Sequence, residues 1–328
     1  MKLKAKLLLV FLFLVAISNM FLLFIAQHSA REELVEAVQK HINTAISSIG
    51  TKVHDANDKE FKLLSSLANI PQIKDSQVNL LEKAEIVSSI AKHDASYINI
   101  AVYDKNGNSY TDDGRLINFI ERPYFKAAIN GNSTVLDPEI SKVNNQLLIW
   151  YSVPIYNEEN QIDGTITAVI DGARPSQTIA DIAISAHSKI TLINRNTYAI
   201  VGSSNLEDVT THKKFTDLYP EIPEETFKQL VKAASDGETL GSTYKDKGTT
   251  YSVVAGSAGT NSDWLIMLTA PESDFFSGLT RMSHTMIIVG IAGSILALTI
   301  IFFILSVSLK PLTHVHTAIK EIATGNAD

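Results

Sequence analysis

The chain has 328 residues, contains no cysteine and carries a formal net charge of −7 at pH 7. The negative charge argues against a nucleic-acid partner, because DNA and RNA are bound through clustered Lys and Arg. Without cysteine the protein can form neither a disulfide nor a thiolate site.

The first predicted element is an apolar run at residues 7–26, LLLVFLFLVAISNMFLLFIA, which contains no charged residue. Fifteen of these twenty residues are Leu, Ile, Val or Phe, and each favours membrane insertion by about 0.3–0.6 kcal/mol. The run has the length of a membrane-spanning helix, so we predict an uncleaved transmembrane helix. A cleavable signal peptide is the alternative, although its apolar core is expected to span only about 7–15 residues.

A second uncharged apolar run covers residues 286–307 and predicts a second transmembrane helix. Lys2, Lys4 and Lys6 precede the first run, and Lys310 follows the second. Because positive residues favour the cytoplasmic side, both ends of the chain are expected in the cytoplasm. The long region between the two runs is then external to the inner membrane, on its periplasmic or extracellular side.

Apolar residues recur at helical spacing between residues 30 and 68, and no proline interrupts them until Pro71. Gly50 is the weak position of this predicted helix. The apolar stripe consists of Leu34, Val38, Ile42, Ile46, Ile49, Val53, Leu63, Leu64 and Leu67. We predict a stalk helix that continues the first membrane span and packs on its own external domain. A seam with a second subunit is an equal alternative for the stripe.

Two successive blocks of strands and helices follow the stalk. The first block has predicted helices at 79–93 and 123–130 and predicted strands at 97–104, 133–137, 146–156 and 163–171. A connecting helix is predicted at 173–187. The second block has predicted strands at 189–195, 198–204, 239–245, 249–258 and 264–271 and a helix at 223–235. The fold class is therefore α+β, with two stacked antiparallel-sheet modules.

The segment ERPYFKAAINGN (121–132) places Arg122 directly before Pro123, which is preset for the first position of a helix. A cation is unfavourable at this end because of the helix dipole. An anion held between Arg122 and the free N–H groups of Tyr124 and Phe125 would explain the placement. The alternative is a surface arginine neutralised by Glu121 or by a distant carboxylate.

Several segments carry a family resemblance. RPYFKAA, DPEIS, a hydrophobic strand into VPIY, and GTITAVID are similar to the membrane-distal module of double Cache (dCache) sensors, which have two PAS-like modules. Such sensors occur in bacterial transmembrane receptors, including methyl-accepting chemotaxis proteins. After the second apolar run, SLKPLTHVHTAIKEIATGNAD resembles the start of a HAMP linker. Leu312, Val315, Ile319 and Ile322 have the 3-4-3 spacing of a parallel coiled-coil seam, which favours a homodimer.

The resemblance gives the predicted organisation. Its boundaries are a cytoplasmic N-terminus (1–6), a first span (7–26), a dCache sensor (30–275), a second span (286–307) and the start of a HAMP linker (308–328). Within the sensor lie the stalk (30–68), the distal module (70–175) and the proximal module (176–272). The implied function is that of a receptor for a small metabolite such as an amino acid, amine or organic carboxylate, most naturally in chemotaxis. Cytoplasmic signalling partners are expected only through an output module, which this sequence does not contain.

The resemblance also implies a ligand site. In family members that bind amino acids, the arginine of the motif that matches RPYFKAA holds the ligand carboxylate, together with the aromatic residues that follow it. An aspartate at the end of a later strand holds the ammonium group. Arg122 and Asp171 match these two positions, and both are expected to be partly buried. If Asp171 faces the site, strand alternation places Val169, Thr167 and Thr165 on the same side.

At other site positions this chain departs from the family pattern. Tyr124 and Phe125 replace a tryptophan–tyrosine pair, and Ile117 lies near the position of an expected upstream tyrosine. Glu139 replaces another tyrosine; it is a candidate contact for an amine, with a surface role as the alternative. Asp137 is a candidate contact or, before Pro138, a turn residue. Trp150 and Tyr151 are further candidates, and alternation allows only one of them to face the site.

No enzyme is indicated. The sequence contains no G-x-S-x-G, no G-x-x-x-x-G-K-[ST] and no H-E-x-x-H motif, and no metal or cofactor is predicted. Histidine kinases and diguanylate cyclases use the same sensor, so they are alternative outputs. A membrane-tethered adhesion or structural protein is the alternative from a different functional class.

Overall fold

The computed structural model describes residues 3–111, 114–142 and 144–308. The HAMP-like pattern beyond Ser308, and with it the predicted coiled-coil seam, lies outside these residues. The described chain divides into two compact units. One contains the residues up to Lys40 together with those from Phe275 onward, and the other is His41–Asp274.

The described helices are α1 (Leu3–Ala68), α2 (Pro71–Lys74), α3 (Leu80–His93), α4 (Pro123–Ile129), α5 (Arg174–Ala180), α6 (Leu206–Thr210), α7 (Phe215–Leu218), α8 (Glu224–Ser235) and α9 (Glu272–Ser308). The described strands are β1 (Tyr97–Asp104), β2 (Asn108–Tyr110), β3 (Leu116–Asn118), β4 (Thr134–Val135), β5 (Glu139–Ile140), β6 (Leu147–Tyr156), β7 (Ile162–Asp171), β8 (Lys189–Asn194), β9 (Ile200–Gly202), β10 (Leu240–Asp246), β11 (Thr249–Ser257) and β12 (Trp264–Pro271).

The first unit consists of the N-terminal part of α1 and most of α9. By length and composition, the helical segments Leu9–Ala68 and Ser283–Val307 could each cross a membrane. Their large apolar side chains face outward; Phe24 and Phe303 are each 69% exposed. Asn19 donates to the Ser294 hydroxyl at 2.6 Å, so a polar contact joins these two otherwise apolar helices.

In the second unit, the first block forms one antiparallel-sheet module, for which we keep the name distal module. Its antiparallel sheet has the order β1-β7-β6-β4, with β5 also paired to β6. One face of this sheet packs on α1. There the Tyr151 hydroxyl donates to Asn57 Oδ1 at 2.7 Å, the Tyr97 hydroxyl donates to Glu60 at 2.5 Å, and the Tyr151 ring meets Phe61 edge-on.

Within this unit, the apolar stripe of α1 is ordinary core. Ile42, Ile46, Ile49 and Val53 are each 3% exposed or less. Gly50 allows α1 to approach strand β11 closely, since a Cβ at this position would lie 2.5 Å from the carbonyl oxygen of Ser257.

The second block forms another antiparallel-sheet module, for which we keep the name proximal module, with strand order β10-β11-β12-β8-β9. Its core contains buried aromatic and aliphatic residues from α7, α8 and the sheet, among them Phe215, Phe227, Leu230, Val253 and Met267. Strand β12 has the bounds expected from the sequence, because WLIMLTAP is apolar and buried over nearly its whole length.

Two predicted elements are shorter than expected. The helix predicted at 173–187 ends at Ala180, and the following loop is held by the Asp274 carboxylate, which accepts from the Ser185 hydroxyl and the His187 N–H at 2.8 Å each. The strand predicted at 133–137 contains only Thr134–Val135, because Asp137 leaves the sheet to bond with the proximal module. The hairpin of β2 and β3 was not predicted.

Candidate functional site

The face of the distal sheet opposite α1 carries Trp150 and Asp171 of the predicted ligand contacts, together with the Thr165, Thr167 and Val169 expected from strand alternation, and we call it the site face. Strand register places Trp150 opposite Val169 and Ser152 opposite Thr167, as expected from the alternation along β7. Strand β1 adds Ala101 opposite Thr167 and Tyr103 opposite Thr165 on the other side of β7. The site face consists of Ala101, Tyr103, Leu148, Trp150, Ser152, Thr165, Thr167, Val169 and Asp171.

Helix α4 covers this face through aromatic side chains. Tyr124 and Phe125 are buried and form a cluster with Ala101 and Tyr103. The rings of Tyr124 and Trp150 are stacked, with centroids 6.4 Å apart and planes 5° apart. Because three of these side chains are aromatic and buried, they form a rigid apolar wall beside the start of α4.

Arg122 occupies the N-cap position of α4 and makes no capping hydrogen bond. Its neighbour Glu121 pairs instead with Lys126 at 2.6 Å, so the predicted alternative of neutralisation by Glu121 is wrong. Within the described residues, the Arg122 guanidinium has no hydrogen bond or ion pair. The first bond of the helix runs from the Lys126 N–H to the Arg122 carbonyl at 3.0 Å, so the N–H groups of Tyr124 and Phe125 have no acceptor within the helix.

The charge of this arginine acts on two buried tyrosine hydroxyls. Burial raises the pKa of both Tyr103 and Tyr124, and the positive charge of Arg122 offsets the effect only in part. Both tyrosines therefore remain neutral O–H donors at physiological pH. The Ser152 and Thr167 hydroxyls are 2.9 Å apart, and the fully buried Thr165 hydroxyl has no hydrogen-bond partner among the residues that the structure describes.

Asp171 ends β7 on the same face, and its carboxylate accepts from the Ala173 N–H at 2.9 Å. The expectation that Arg122 and Asp171 are partly buried is wrong, because both side chains are exposed. The reason is positional: Arg122 precedes a helix and Asp171 is the last residue of a strand. Two charges of opposite sign are thus accessible to a ligand from solvent.

The remaining predicted residues are not all brought to this face. Tyr151 points to α1, so Trp150 is the member of the pair that belongs to the site face. Asp137 bonds to Asn194 and Trp264 of the proximal module. Glu139 lies on the short strand β5, where it pairs with Leu148. Its side chain is exposed, in agreement with the alternative of a surface role.

Sequence reasoning missed Tyr103, which lies under the aromatic cluster. Alternation along YINIAVYD puts Tyr103 with Ala101 on one face, but it cannot tell which face meets α4. That choice depends on the pairing of β1 with β7, which are about sixty residues apart in sequence. Among the residues that the structure describes, no group of three His, Cys, Asp or Glu side chains is arranged to hold a metal.

The comparison with known families is decisive at this point. The dCache_1 family, described as a Cache domain, matches residues 26–279. The chain belongs to the dCache_1 family. The fold, with its long N-terminal helix and two antiparallel sheets, is therefore that of a dCache sensor domain, as the sequence resemblance implied.

Solved structures with this fold include sensor domains of two receptor classes. The ligand-binding domain of Mlp24 with asparagine has a TM-score of 0.56 at 16% identity, covering 77% of this chain and 99% of that one. The ligand-binding domain of Campylobacter jejuni chemoreceptor Tlp3 with 4-methylisoleucine has a TM-score of 0.53 at 15% identity, covering 74% and 94%. The extracellular domain of the putative histidine kinase mmHK1S-Z2 has a TM-score of 0.56 at 13% identity, covering 72% and 99%.

At these identities the structural likeness shows the fold alone. No curated protein matched the sequence. The dCache chain is thus related in fold to domains that bind amino acids in chemoreceptors and to a histidine kinase sensor, and its own ligand has to be argued from its site.

Proposed function

We propose that this dCache chain is the sensory region of a transmembrane receptor whose distal module binds a small metabolite carrying a carboxylate. The observation that carries the proposal is Arg122, which has no ion pair among the described residues and lies near enough to Tyr103 and Tyr124 for its charge to lower their pKa values in part. A carboxylate placed there would accept charge-assisted hydrogen bonds from the guanidinium and from the N–H groups at the start of α4.

An amino acid or amine-bearing carboxylate is the favoured ligand class. Asp171 offers a second charge of opposite sign on the same face, suited to an ammonium group. Relatives with the same fold bind asparagine and 4-methylisoleucine, by their descriptions. The stacked pair of Tyr124 and Trp150 would cover the apolar part of such a ligand.

For signal transfer we propose two membrane spans, with the sensor outside the bacterial inner membrane and both ends in the cytoplasm. The two long apolar helices support this arrangement, as do the lysines at positions 2, 4, 6 and 310. Ligand binding would change the packing of α1 and of the segment entering α9, and a HAMP linker in a homodimer would relay the change.

Chemotaxis is the proposed setting, since chemoreceptor sensors share the fold. A histidine kinase is the second candidate, supported by the likeness to the mmHK1S-Z2 sensor. We propose no catalytic activity for the region described here.

The test is calorimetry on the full chain in detergent, against the common L-amino acids and their deaminated carboxylates. Arg122→Ala should weaken binding by about 2 kcal/mol, or roughly 30-fold, because the ligand carboxylate loses its cation. We expect this lower end of the range for charge pairs because Arg122 is exposed and solvent screens it. Asp171→Ala should have a similar effect for ligands that carry an ammonium group.

Lys126→Ala is the matched control, since it removes a cation from the same helix, and within the described residues this cation pairs with Glu121 alone. Unchanged binding by Arg122→Ala would refute the anion site. If Asp171→Ala alone has no effect, the ligand is a plain carboxylate. A thermal-shift screen in which no small molecule stabilises the protein would favour the adhesion or structural alternative.

A further inference from the structure

Asp137 joins the two modules of the sensor through hydrogen bonds that both of its carboxylate oxygens accept. Asn194 Nδ2 donates to both carboxylate oxygens, at 3.0 and 2.8 Å, and Trp264 Nε1 donates to Oδ1 at 2.9 Å. Asp137 forms no ion pair within the described residues. A charged group held between modules only by neutral donors is sensitive to small displacements, because its bonds depend on distance and direction.

The two donors are fixed from the proximal side. Asn194 and Trp264 are direct cross-strand partners in the pairing of β8 with β12, so their side chains leave the sheet side by side. They are 9% and 1% exposed, respectively. The Asn194 carbonyl oxygen Oδ1 also accepts from the N–H groups of Asn196 and Thr197, which holds the side chain in one orientation.

On the distal side, the segment of Asp137 is attached directly to the candidate site. The Leu136 N–H donates to the Trp150 carbonyl at 3.0 Å, and the Leu136 side chain packs against the cluster of Tyr103, Tyr124 and Phe125. A ligand that displaces Trp150 or this cluster therefore also displaces the segment of Asp137. Along the chain, β12 begins at Trp264 and runs directly into α9.

From this arrangement we propose that Asp137 is the coupling residue between the candidate site and the proximal module. A change in the aromatic cluster moves Leu136, the carboxylate follows, and the bonds to Asn194 and Trp264 carry the change into β8 and β12. The inference goes beyond the proposed function, which places ligand contacts at Arg122 and Asp171. It also holds for any ligand, because the coupling is a property of the fold.

The full chain in lipid nanodiscs provides the test without a ligand. The protein has two tryptophans, so a Trp150→Phe background leaves Trp264 as the single fluorescent reporter at the Asp137 bonds. Phe125→Leu then serves as a mild disturbance of the aromatic cluster. The readouts are amide hydrogen exchange in β8 and β12 and the emission of Trp264.

With Asp137 present, Phe125→Leu should accelerate exchange in β12 about tenfold, within the range for residues sharing one network. In the Asp137→Ala variant, the same disturbance should change β12 exchange by less than about twofold. Asp208→Ala is the control: it removes a buried carboxylate that bonds Lys213 within the proximal module, so it weakens that module without removing the coupling.

Two results would overturn the proposal. One is an equal response of β12 to Phe125→Leu with and without Asp137, which would place the coupling elsewhere, for example in Leu147, which packs on the proximal core. The other is no response while Asp137 is present. If Asp137→Ala does not fold, Asp137→Val, which removes both acceptor oxygens but leaves a smaller cavity than alanine, takes its place with the same criteria. Failure of this test would leave ligand binding at Arg122 untouched, since calorimetry measures that separately.

Discussion

At the scale of single residues, Asp137 should make the stability of the protein depend on pH. Burial raises its pKa, and the bonds from Asn194 and Trp264 offset the effect only in part. Of the charged groups nearby, Asp263 raises the pKa further and His212 lowers it. A carboxyl group with a raised pKa in the folded state adds stability below its ordinary pKa of about 3.9, and this contribution is lost as pH rises through the folded value.

The expected result concerns the difference in free energy of unfolding between the parent and Asp137→Asn. That difference should shift in favour of the variant as pH rises from about 4 to 7, because the amide cannot become charged. Denaturant unfolding at several pH values measures it, with Asp263→Asn as a control for the neighbouring carboxylate. A difference that stays constant across this range would show that the Asp137 carboxyl has an ordinary pKa.

Single residues also show how far the sequence predicts the site. Arg122 was identified because its position before Pro123 is a local feature, and a local feature can be read from adjacent letters. Asp137 could not be understood in this way, because its partners Asn194 and Trp264 lie 57 and 127 residues further along the chain. For the same reason, Asp137 before Pro138 resembles an ordinary turn residue.

At the scale of elements, the two faces of β6 have different roles. The face toward α1 contributes to the stability of the fold, and the opposite face contributes to ligand binding. Tyr151→Phe removes the hydroxyl that bonds Asn57 on α1 and leaves a buried acceptor without its donor. The free energy of unfolding should fall by about 1–2 kcal/mol while ligand affinity stays unchanged. Trp150→Ala removes the ring stacked on Tyr124 and should weaken binding. Calorimetry and denaturant unfolding on both variants test the assignment, and a loss of affinity in Tyr151→Phe would contradict it.

The contact of α1 with β11 gives a second prediction at this scale. In an exposed helix, Gly→Ala stabilises by about 1 kcal/mol. At Gly50 the added Cβ would lie 2.5 Å from the Ser257 carbonyl oxygen, and overpacking of this kind costs about 1–3 kcal/mol. Gly50→Ala should therefore lower the melting temperature, whereas Ser48→Ala, on the exposed side of the same helix, should leave it unchanged or raise it slightly. A stabilising Gly50→Ala would mean that the helix does not approach the sheet so closely.

The sequence predicts an element correctly where its apolar residues follow a single clear pattern and no tertiary contact overrides it. The stripe of α1 repeats at helical spacing and β12 is apolar along its length, so both were found from sequence. The prediction was wrong for the helix expected at 173–187, where tertiary bonds from Ser185 and His187 to Asp274 hold a loop in place of the last turns. Helix propensity is a weak preference, and a buried carboxylate with several donors can override it.

At the scale of the whole molecule, the sequence predicted a long N-terminal helix and two antiparallel-sheet modules, and the structure contains this helix and two five-stranded antiparallel sheets. The sequence could not predict how the modules are joined, because that depends on a few polar contacts between distant segments. The bidentate bond of Asn194 to Asp137 is such a contact. Hydrophobic patterning defines the layers of a fold, whereas individual hydrogen bonds of this kind fix one layer against the next.

The topology of the whole chain leads to the last prediction. Lysines at positions 2, 4, 6 and 310 flank two uncharged apolar runs, and positive residues are retained on the cytoplasmic side. Reporter fusions at residue 180, between the runs, and at residue 320, after the second run, should therefore report opposite compartments. A paired reporter that is active on only one side of the membrane, fused at both positions, provides the measurement. Replacing the three N-terminal lysines by glutamine should weaken the orientation preference, because the charge asymmetry is its cause. Matching compartments for the two fusions in the parent would exclude a second span between them, and with it the proposed route of the signal through α9.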